Sequence, residues 1–388
     1  MAMGRIYLDW NATAPLLGAA RDAVLDALSL PGNPSSVHAE GRAARVLGEK
    51  ARREVAGLLG AEPAHVTFTG SATEAANHVL SPAYRMGKAK IAVGHLYVSA
   101  IEHPAVRNGG RFAPEQITEI PVTRQGLLDL EALADLLAAH DAASGMPLVA
   151  IMLVNNETGL IQPIRDAAAI VKKHGGLLVV DAVQAAGRIP ASIADLGADF
   201  LIVSAHKLGG PKGVGALVSR GETLMPEPLI RGGGQEKGHR AGTENLAAIA
   251  GFGAAARVMS EEVESRNAAI AGLRDRAEAA MLRIAPETVI YGRGLDRVSN
   301  TSFFRLPGLK AETGQIAFDL EGVALSAGAA CSSGKVGASH VLTAMGEDAA
   351  HGALRLSLGP ATTEADIDRF IAVFDKIASR RKVAGQAA

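Results

Sequence analysis

Between residues 66 and 218 the chain alternates short apolar runs with segments of helical periodicity. The apolar runs are Val66–Phe68, Ile91–Ser99, Ile117–Val122, Leu148–Val154, Leu177–Val180, Phe200–Val203 and Val214–Val218. Strands that alternate with helices favour a mainly parallel sheet with helices on both faces. Nearly continuous apolar runs are typical of strands covered on both sides. We therefore expect an α/β fold with a seven-stranded sheet and a ligand site at the carboxyl ends of its strands.

After residue 221 the alternation weakens, and a length of 388 residues suits about two domains. Helical and strand-like segments still follow one another there, and the last helix begins at a Thr363-x-x-Asp366 capping box. These segments predict a smaller α+β unit with its own core, which the strand-like Ile6–Asp9 can join. The expected division is a large domain of residues 16–255 and a small domain of residues 1–15 and 256–388.

Composition excludes several classes of protein. The formal net charge of −1 gives no electrostatic basis for binding nucleic acid or an anionic membrane. One cysteine, Cys331, excludes an internal disulfide and a cysteine-rich metal site. The sequence has no apolar run of about 18 residues and no secretory leader, so we expect a cytoplasmic protein. Signals for a metalloprotease or a P-loop are also missing.

The segment that follows the Phe200–Val203 run carries a candidate nucleophile. Ser204, His206 and Lys207 come directly after the predicted strand, and a Gly-Gly-Pro turn follows them. A lysine that is partly screened from water has a lowered pKa and can form a Schiff base with pyridoxal phosphate. The alternative is a lysine at the surface end of a strand.

Polar residues follow the other runs as well, and together they suit one ligand. Gly70, Ser71, Ala72 and Thr73 open a helix and can form a phosphate cup, with Ser204 and His206 adding contacts. Asp181 can keep a pyridine nitrogen protonated, while Asn155 and Gln184 can bond to a ring oxygen. His103 can stack on a flat ring and move protons. Taken singly, each could be a helix cap, a satisfied loop amide or a solvent-facing histidine.

Longer motifs resemble those of the cysteine desulfurases, which are pyridoxal-phosphate enzymes of the class V aminotransferase type that mobilise sulfur for iron–sulfur clusters. The resemblance runs nearly from end to end. The motifs that carry it are Tyr7-Leu-Asp-Trp-Asn-Ala-Thr13, Gly32-Asn-Pro-Ser-Ser-Val-His38, Ala72-Thr-Glu74, Glu102-His-Pro104, Val154-Asn-Asn-Glu-Thr-Gly159, Asp181-Ala-Val-Gln184, Ser204-Ala-His-Lys207, Arg231-Gly-Gly-Gly-Gln-Glu236, Arg240-Ala-Gly-Thr-Glu-Asn245, Ala330-Cys-Ser-Ser333 and Arg355-Leu-Ser357.

The resemblance implies a homodimer of fold type I. Lys207 would carry the cofactor, and Thr243 would reach the phosphate from the neighbouring subunit. Arg355, with Asn33 and Asn11, would bind the substrate carboxylate, since the fork of an arginine matches a carboxylate.

The resemblance also implies that Cys331 accepts sulfur from L-cysteine as a persulfide, leaving L-alanine, and passes it to an acceptor or scaffold protein. Apart from a transient cluster ligand at Cys331, no metal site is expected. The alternatives are a selenocysteine lyase, another pyridoxal-phosphate lyase or aminotransferase, and a non-catalytic partner in sulfur assembly. The sequence departs from the family pattern at Trp10, Ala14 and the order Gly70-Ser71.

Overall fold

The computed structural model describes residues 4–261, 263–328, 338–347 and 349–386, with the side chains described as far as residue 381. The strands of these residues are β1 (Ile6–Tyr7), β2 (Val66–Thr69), β3 (Ala83–Met86), β4 (Ala89–Ser99), β5 (Ile117–Ile120), β6 (Met146–Met152), β7 (Leu177–Asp181), β8 (Phe200–Ser204), β9 (Gly215–Ser219), β10 (Leu224–Pro226), β11 (Val289–Tyr291), β12 (Thr301–Arg305), β13 (Val323–Ala324), β14 (Ser326–Ala327) and β15 (Leu354–Ser357).

The helices differ more in length than the strands. They are α1 (Gly18–Leu28), α2 (Ala39–Leu58), α3 (Ala72–Val79), α4 (Pro104–Arg107), α5 (Leu130–Ala138), α6 (Ile164–Lys173), α7 (Ile193–Leu196), α8 (Leu246–Ser260), α9 (Val263–Ile284), α10 (Ala311–Leu320), α11 (His340–Ala344) and α12 (Glu364–Gln386). The described part of the chain has no helix with the length and apolar character needed to cross a membrane.

The central sheet has the order β10-β3-β4-β6-β7-β8-β9-β2, with β5 paired to β4. Strands β5, β4, β6, β7 and β8 are mutually parallel, whereas β9 runs antiparallel between β8 and β2. The mainly parallel sheet is thus confirmed. All seven predicted strands belong to it, and the short β3 and β10 extend one edge beyond the seven expected.

Alternate residues of the central strands enter different hydrophobic clusters. Val149 and Ile151 of β6 belong to one cluster, whereas Leu148 and Ala150 belong to another. Because side chains alternate across a strand, both faces of the sheet are covered. This double burial is the physical reason for the continuous apolar runs in the sequence.

The C-terminal third forms a second layer of structure. Strands β11-β12-β15-β14 make an antiparallel sheet, and β1 pairs in parallel with β13. Their cluster includes Leu8, Phe304 and Phe370, so the N-terminal segment packs with the C-terminal part. The predicted capping box of α12 is confirmed, since the backbone N–H of Thr363 donates to the Asp366 carboxylate and the Asp366 N–H donates to the Thr363 hydroxyl.

One long predicted helix is in fact two. The sequence pattern predicts that Thr243-Glu-Asn245 caps one long helix running to about Ile284, but α8 ends at Ser260 and α9 starts at Val263. Asn245 is the N-cap, with its side chain accepting from the Ala248 N–H. Helix α8 packs on α1 and α2, and its Phe252 lies in the cluster on one face of the central sheet. Ile270 of α9 instead packs in the C-terminal cluster, so the break separates segments that serve different cores.

Candidate functional site

A cavity of about 220 Å³ opens at the carboxyl ends of the central strands. Parallel strands bring their carboxyl ends to one edge, which explains why polar residues far apart in sequence meet there. Eleven of the predicted site residues line it: Asn11, Ser71, Ala72, Thr73, His103, Asp181, Gln184, Ser204, His206, Lys207 and Arg355.

Lys207 lies in the short 3₁₀ turn Ala205–Lys207 that follows β8. Its side-chain ammonium donates hydrogen bonds to the backbone carbonyls of Asn11 (2.7 Å) and Ala12 (2.8 Å). Gly209, with φ of 87°, allows the turn to pass close to the side chain of Leu17. The amine is therefore held between the sheet edge and the N-terminal segment.

Asp181 is the last residue of β7 and faces the same cavity. One carboxylate oxygen accepts the Val183 N–H at 2.8 Å. Desolvation raises the pKa of this carboxyl to about 6, while the Val183 hydrogen bond and Lys207 lower it. A carboxylate with so little compensation fits a cationic ligand group.

The N-terminus of α3 forms the opposite wall of the cavity. Ser71 caps the helix by accepting the Glu74 N–H at 3.0 Å, and Glu74 accepts the Gly70 N–H at 2.8 Å. The glycine at position 215 is required because a Cβ there would lie 2.7 Å from the Ala72 nitrogen. A helix N-terminus with small residues and hydroxyls suits an anion such as phosphate.

Two histidines line the cavity as neutral rings. Desolvation, followed by the nearby Lys207, lowers the pKa of both His103 and His206 to about 4. His103 Nδ1 accepts the Ala105 N–H at 3.1 Å, so its neutral ring carries the hydrogen on Nε2. His206 Nδ1 contacts the Thr13 hydroxyl at 3.1 Å. Neutral imidazoles suit stacking and phosphate contact without adding charge.

Arg355 on β15 is buried in the same wall. Its guanidinium donates to the Asn156 carbonyl and to Asp9 Oδ1, both at 2.8 Å. The Nε atom is buried and has no hydrogen-bond partner among the described residues. This leaves a donor for an incoming carboxylate, which is the ligand that an arginine fork prefers.

Asn11 lines the cavity but uses its side-chain amide within the protein. Its Nδ2 donates to the Thr301 hydroxyl at 2.9 Å, and its Oδ1 accepts from Asn300 at 3.0 Å. Its backbone N–H donates to the Ser357 hydroxyl at 3.0 Å. These bonds fasten the N-terminal segment beneath Lys207, and a contact from this amide to a substrate requires breaking them.

Three predicted residues lie outside the cavity lining. The side-chain amide of Asn155 accepts from the N–H groups of Glu157 and Thr158 and donates to the Ile101 carbonyl, so it is engaged within the protein. Asn33 is exposed and accepts the Ser35 N–H. Thr243 is exposed. Cys331 lies outside the described residues.

Sequence reasoning missed three residues that support the site. Asp9 pairs with Arg355, the carbonyl of Asn156 accepts from the same guanidinium, and Arg188 contacts Gln184. A signal was available for Arg188, since an arginine stands alone in the small, apolar run 185–189. For Asp9 the signal was a carboxylate at the end of a short strand.

The residues present fit pyridoxal phosphate. An amine, an under-compensated carboxylate, a helix N-terminus and a neutral imidazole line one cavity. These are the groups that the cofactor's aldehyde, ring nitrogen, phosphate and ring face require. No described residues form a group of three or more histidine, cysteine or acidic side chains placed to hold a metal ion.

Comparison with known proteins agrees with this geometry. The family model of class-V aminotransferases matches residues 6–370. A cysteine desulfurase of Cereibacter sphaeroides is 40% identical over 384 residues, which is 97% of this chain and 96% of the relative. The cysteine desulfurase NifS of Azotobacter vinelandii is 37% identical, over 95% of this chain and 91% of its own.

A solved structure extends the likeness to three dimensions. The NifS-like protein from Rickettsia africae superposes with a TM-score of 0.86 at 36% identity, over 97% of this chain and 99% of that one. The chain therefore belongs to the class-V aminotransferase family and, within it, to the pyridoxal-phosphate-dependent cysteine desulfurases.

Proposed function

We propose that this protein converts L-cysteine to L-alanine and transfers the sulfur to Cys331. The balanced reaction is L-cysteine plus an enzyme thiol giving L-alanine plus an enzyme persulfide. The observation that carries the proposal is the convergence of Lys207, Asp181 and the α3 N-terminus on one cavity, in a chain of this family.

The cavity residues divide into binding roles. Bound pyridoxal phosphate supplies an electron-withdrawing ring that stabilises negative charge at the substrate α-carbon. Lys207 would hold the cofactor covalently, and Asp181 would pair with its ring nitrogen. The His103 ring would stack on the cofactor and present a proton at Nε2, and Gln184 would donate to the ring oxygen. Ser71, Ala72, Thr73, Ser204 and His206 would bind the phosphate, with Thr243 added by a second subunit.

Arg355 orients the substrate by binding its carboxylate. Its buried guanidinium is already held by Asp9 and by the Asn156 carbonyl, so it meets the substrate carboxylate with little further loss of side-chain freedom. Fixing the carboxylate there turns the rest of L-cysteine toward Lys207. The Cys331 thiolate attacks the substrate sulfur, the carbon–sulfur bond breaks, and the carbon fragment takes up a proton to become alanine.

The sulfur on Cys331 then goes to an acceptor or scaffold protein for iron–sulfur assembly. The names IscS and NifS carried by relatives support this destination. The cytoplasmic location remains a prediction. So does the division into residues 16–255 and residues 1–15 with 256–388, which the separate hydrophobic clusters support.

A homodimer is part of the proposal. Large apolar side chains are exposed on α1, on α2 and in the segment between them, including Leu25 (58%), Leu28 (68%), Val37 (84%) and Val46 (65%). Such exposure in neighbouring segments is typical of a surface that another chain covers. A second copy would also bring the exposed Thr243 to the cofactor phosphate.

The test uses two variants of the purified protein. Lys207→Ala should lose the long-wavelength absorbance of lysine-linked cofactor and form no alanine from L-cysteine. Cys331→Ser should keep that absorbance but form no protein persulfide. Alanine formation at the normal rate by Lys207→Ala would refute the proposal. Preferred turnover of selenocysteine by the unmodified protein would favour the lyase alternative.

A further inference from the structure

Arg188 is a buried charge to which none of the roles above is assigned. It is 8% exposed and follows Gly187 in the turn after β7. Its guanidinium donates to Gln184 Oε1, to the Gln184 carbonyl at 3.2 Å and to the Lys207 carbonyl at 3.3 Å. No carboxylate of the described residues lies within ion-pair distance of it. Its contacts therefore go to two residues that line the cavity.

These contacts settle which way the Gln184 amide faces. A guanidinium has only donors, so the atom that it meets must be the amide oxygen. The other amide atom, Nε2, donates to the Asn11 carbonyl at 3.0 Å, which only a nitrogen can do. Gln184 Nε2 keeps a second hydrogen, and the side chain lines the cavity. Arg188 therefore makes Gln184 a donor toward the cavity.

We propose that Arg188 is a positioning residue that fixes Gln184 as a hydrogen-bond donor to the ring oxygen of the cofactor. This inference rests on the proposed contact between Gln184 and that oxygen. A donor at the oxygen stabilises its anionic form and so lowers the proton affinity of the neighbouring Lys207 nitrogen when the cofactor is attached. Arg188 thus sets the pH at which the bound cofactor changes its absorbance.

Other charged groups at the cavity also influence the pH at which the absorbance of the bound cofactor changes. Desolvation, followed by the charge of Arg355, lowers the pKa of Arg188 to about 9, so the guanidinium is cationic at neutral pH. The charged or titratable side chains that line the cavity are Asp181, His103, His206, Lys207 and Arg355. The electrostatic field of each of these side chains can also shift the pH midpoint of the cofactor's absorbance. A double variant is therefore needed to isolate the effect of Arg188.

The experiment is a pH titration of the absorbance of the holoenzyme. Arg188→Met replaces the guanidinium with an apolar chain, and its absorbance midpoint should rise by about one pH unit, since one hydrogen bond to a charged group is lost. Gln184→Ala should raise the midpoint by a similar amount. Arg188→Met in the Gln184→Ala background should add no further shift, because the arginine acts through the amide.

Two further variants serve as a rescue test and a matched control. Arg188→Lys keeps the charge and one donor and should recover part of the shift. Arg266→Met is a matched control, since Arg266 also donates to backbone carbonyls nearby, at Gly187 (2.9 Å) and Met259 (2.7 Å), but does not line the cavity. It should leave the midpoint unchanged and thus show that losing a nearby arginine is insufficient.

The possible results distinguish the contact between Gln184 and the ring oxygen from the positioning role of Arg188. If Gln184→Ala does not move the midpoint, the proposed contact with the ring oxygen is wrong. If Gln184→Ala moves it and Arg188→Met does not, the role of Arg188 is wrong. If Arg188→Met shifts the midpoint equally in both backgrounds, its charge acts through space, and the positioning role is overturned. Should Arg188→Met fail to fold, Arg188→Ala takes its place, and an unshifted midpoint in Arg188→Ala overturns the positioning role instead.

Discussion

At the scale of single residues, the buried carboxylate of Asp181 lowers the stability of the cofactor-free folded protein. Burial raises the pKa of its carboxyl to about 6, whereas the unfolded chain ionises near pH 4. An acid whose pKa rises on folding destabilises the folded state as the pH climbs through that interval. Above pH 6 the cost is constant at about 3 kcal/mol, from about two pKa units. In the proposed function, the cationic ring nitrogen of the cofactor would offset this cost.

We therefore expect Asp181→Asn to stabilise the cofactor-free protein. The gain in free energy of unfolding should be larger at pH 7.5 than at pH 5, because Asp181 is partly protonated at the lower pH. The same substitution should weaken cofactor binding. Urea unfolding of cofactor-free protein at both pH values checks the first effect, and titration with pyridoxal phosphate checks the second.

Asp199→Asn is the control for this prediction. Asp199 also has a pKa raised by desolvation, but it precedes β8 and pairs with Arg220 at 2.7 Å, away from the cavity. Its substitution should leave cofactor affinity unchanged. An equal gain for Asp181→Asn at the two pH values would contradict the assigned electrostatic cost.

At the scale of elements, the glycine-rich loop after β10 is anchored by a buried ion pair. The Glu236 carboxylate accepts hydrogen bonds from both terminal nitrogens of Arg52 at 2.8 Å and from the Phe68 N–H at 2.9 Å. Glu236 and Lys237 have φ of 46° and 55°, the left-handed region that favours glycine. The ion pair holds this strained loop against α2 and β2. The same loop carries Thr243.

Breaking that pair should be costly when only one partner is removed. Arg52→Met leaves a buried carboxylate without its cation and should lower the free energy of unfolding by about 3–5 kcal/mol. The double variant Arg52→Met/Glu236→Gln should regain much of this loss, because no charge remains unpaired and the oxygen of the new amide can still accept the Phe68 N–H. Urea unfolding of the single and double variants measures both values.

Arg45 on the same helix provides the matched control. Its side chain is exposed and donates to the Pro34 carbonyl, so Arg45→Met should change stability by about 0.5 kcal/mol or less. A loss for Arg52→Met no larger than that for Arg45→Met would contradict the anchoring role.

At the scale of the whole molecule, the proposed dimer makes each active site a shared structure. Lys207 lines the cavity of its own subunit, whereas Thr243 is exposed and lies outside that lining. A site built from Lys207 of one chain and Thr243 of the other predicts complementation between defective subunits.

We expect mixed dimers of Lys207→Ala and Thr243→Ala subunits to contain one intact site. The Thr243→Ala subunit keeps its lysine and receives a normal threonine from its partner. Isolated heterodimers, purified with two different affinity tags, should bind one cofactor per dimer with normal affinity. If Thr243 served its own subunit, every site would carry a lesion, and normal-affinity binding would be absent.

Much of the fold followed from sequence because the physics is local or periodic. Continuous apolar runs such as Leu148–Val154 reflect burial on both faces, which Val149 and Leu148 confirm by entering different clusters. The break between α8 and α9 was missed because no glycine or proline lies between Ser260 and Val263. There the two flanking segments pack on different cores, and tertiary packing overrides helical continuity.

The candidate site divides along the same line. Residue types and spacing alone determined that Lys207, Asp181 and the α3 N-terminus would meet, since parallel strands deliver their carboxyl ends to one edge. The tertiary structure alone decided which neighbours fix the side chains of the site. Asp9 bonds to Arg355, Arg188 donates to Gln184, and the Asn11 carbonyl accepts from Lys207. Such hydrogen bonds join residues from separate segments, and their directions depend on packing within tenths of an ångström, which no one-dimensional pattern encodes.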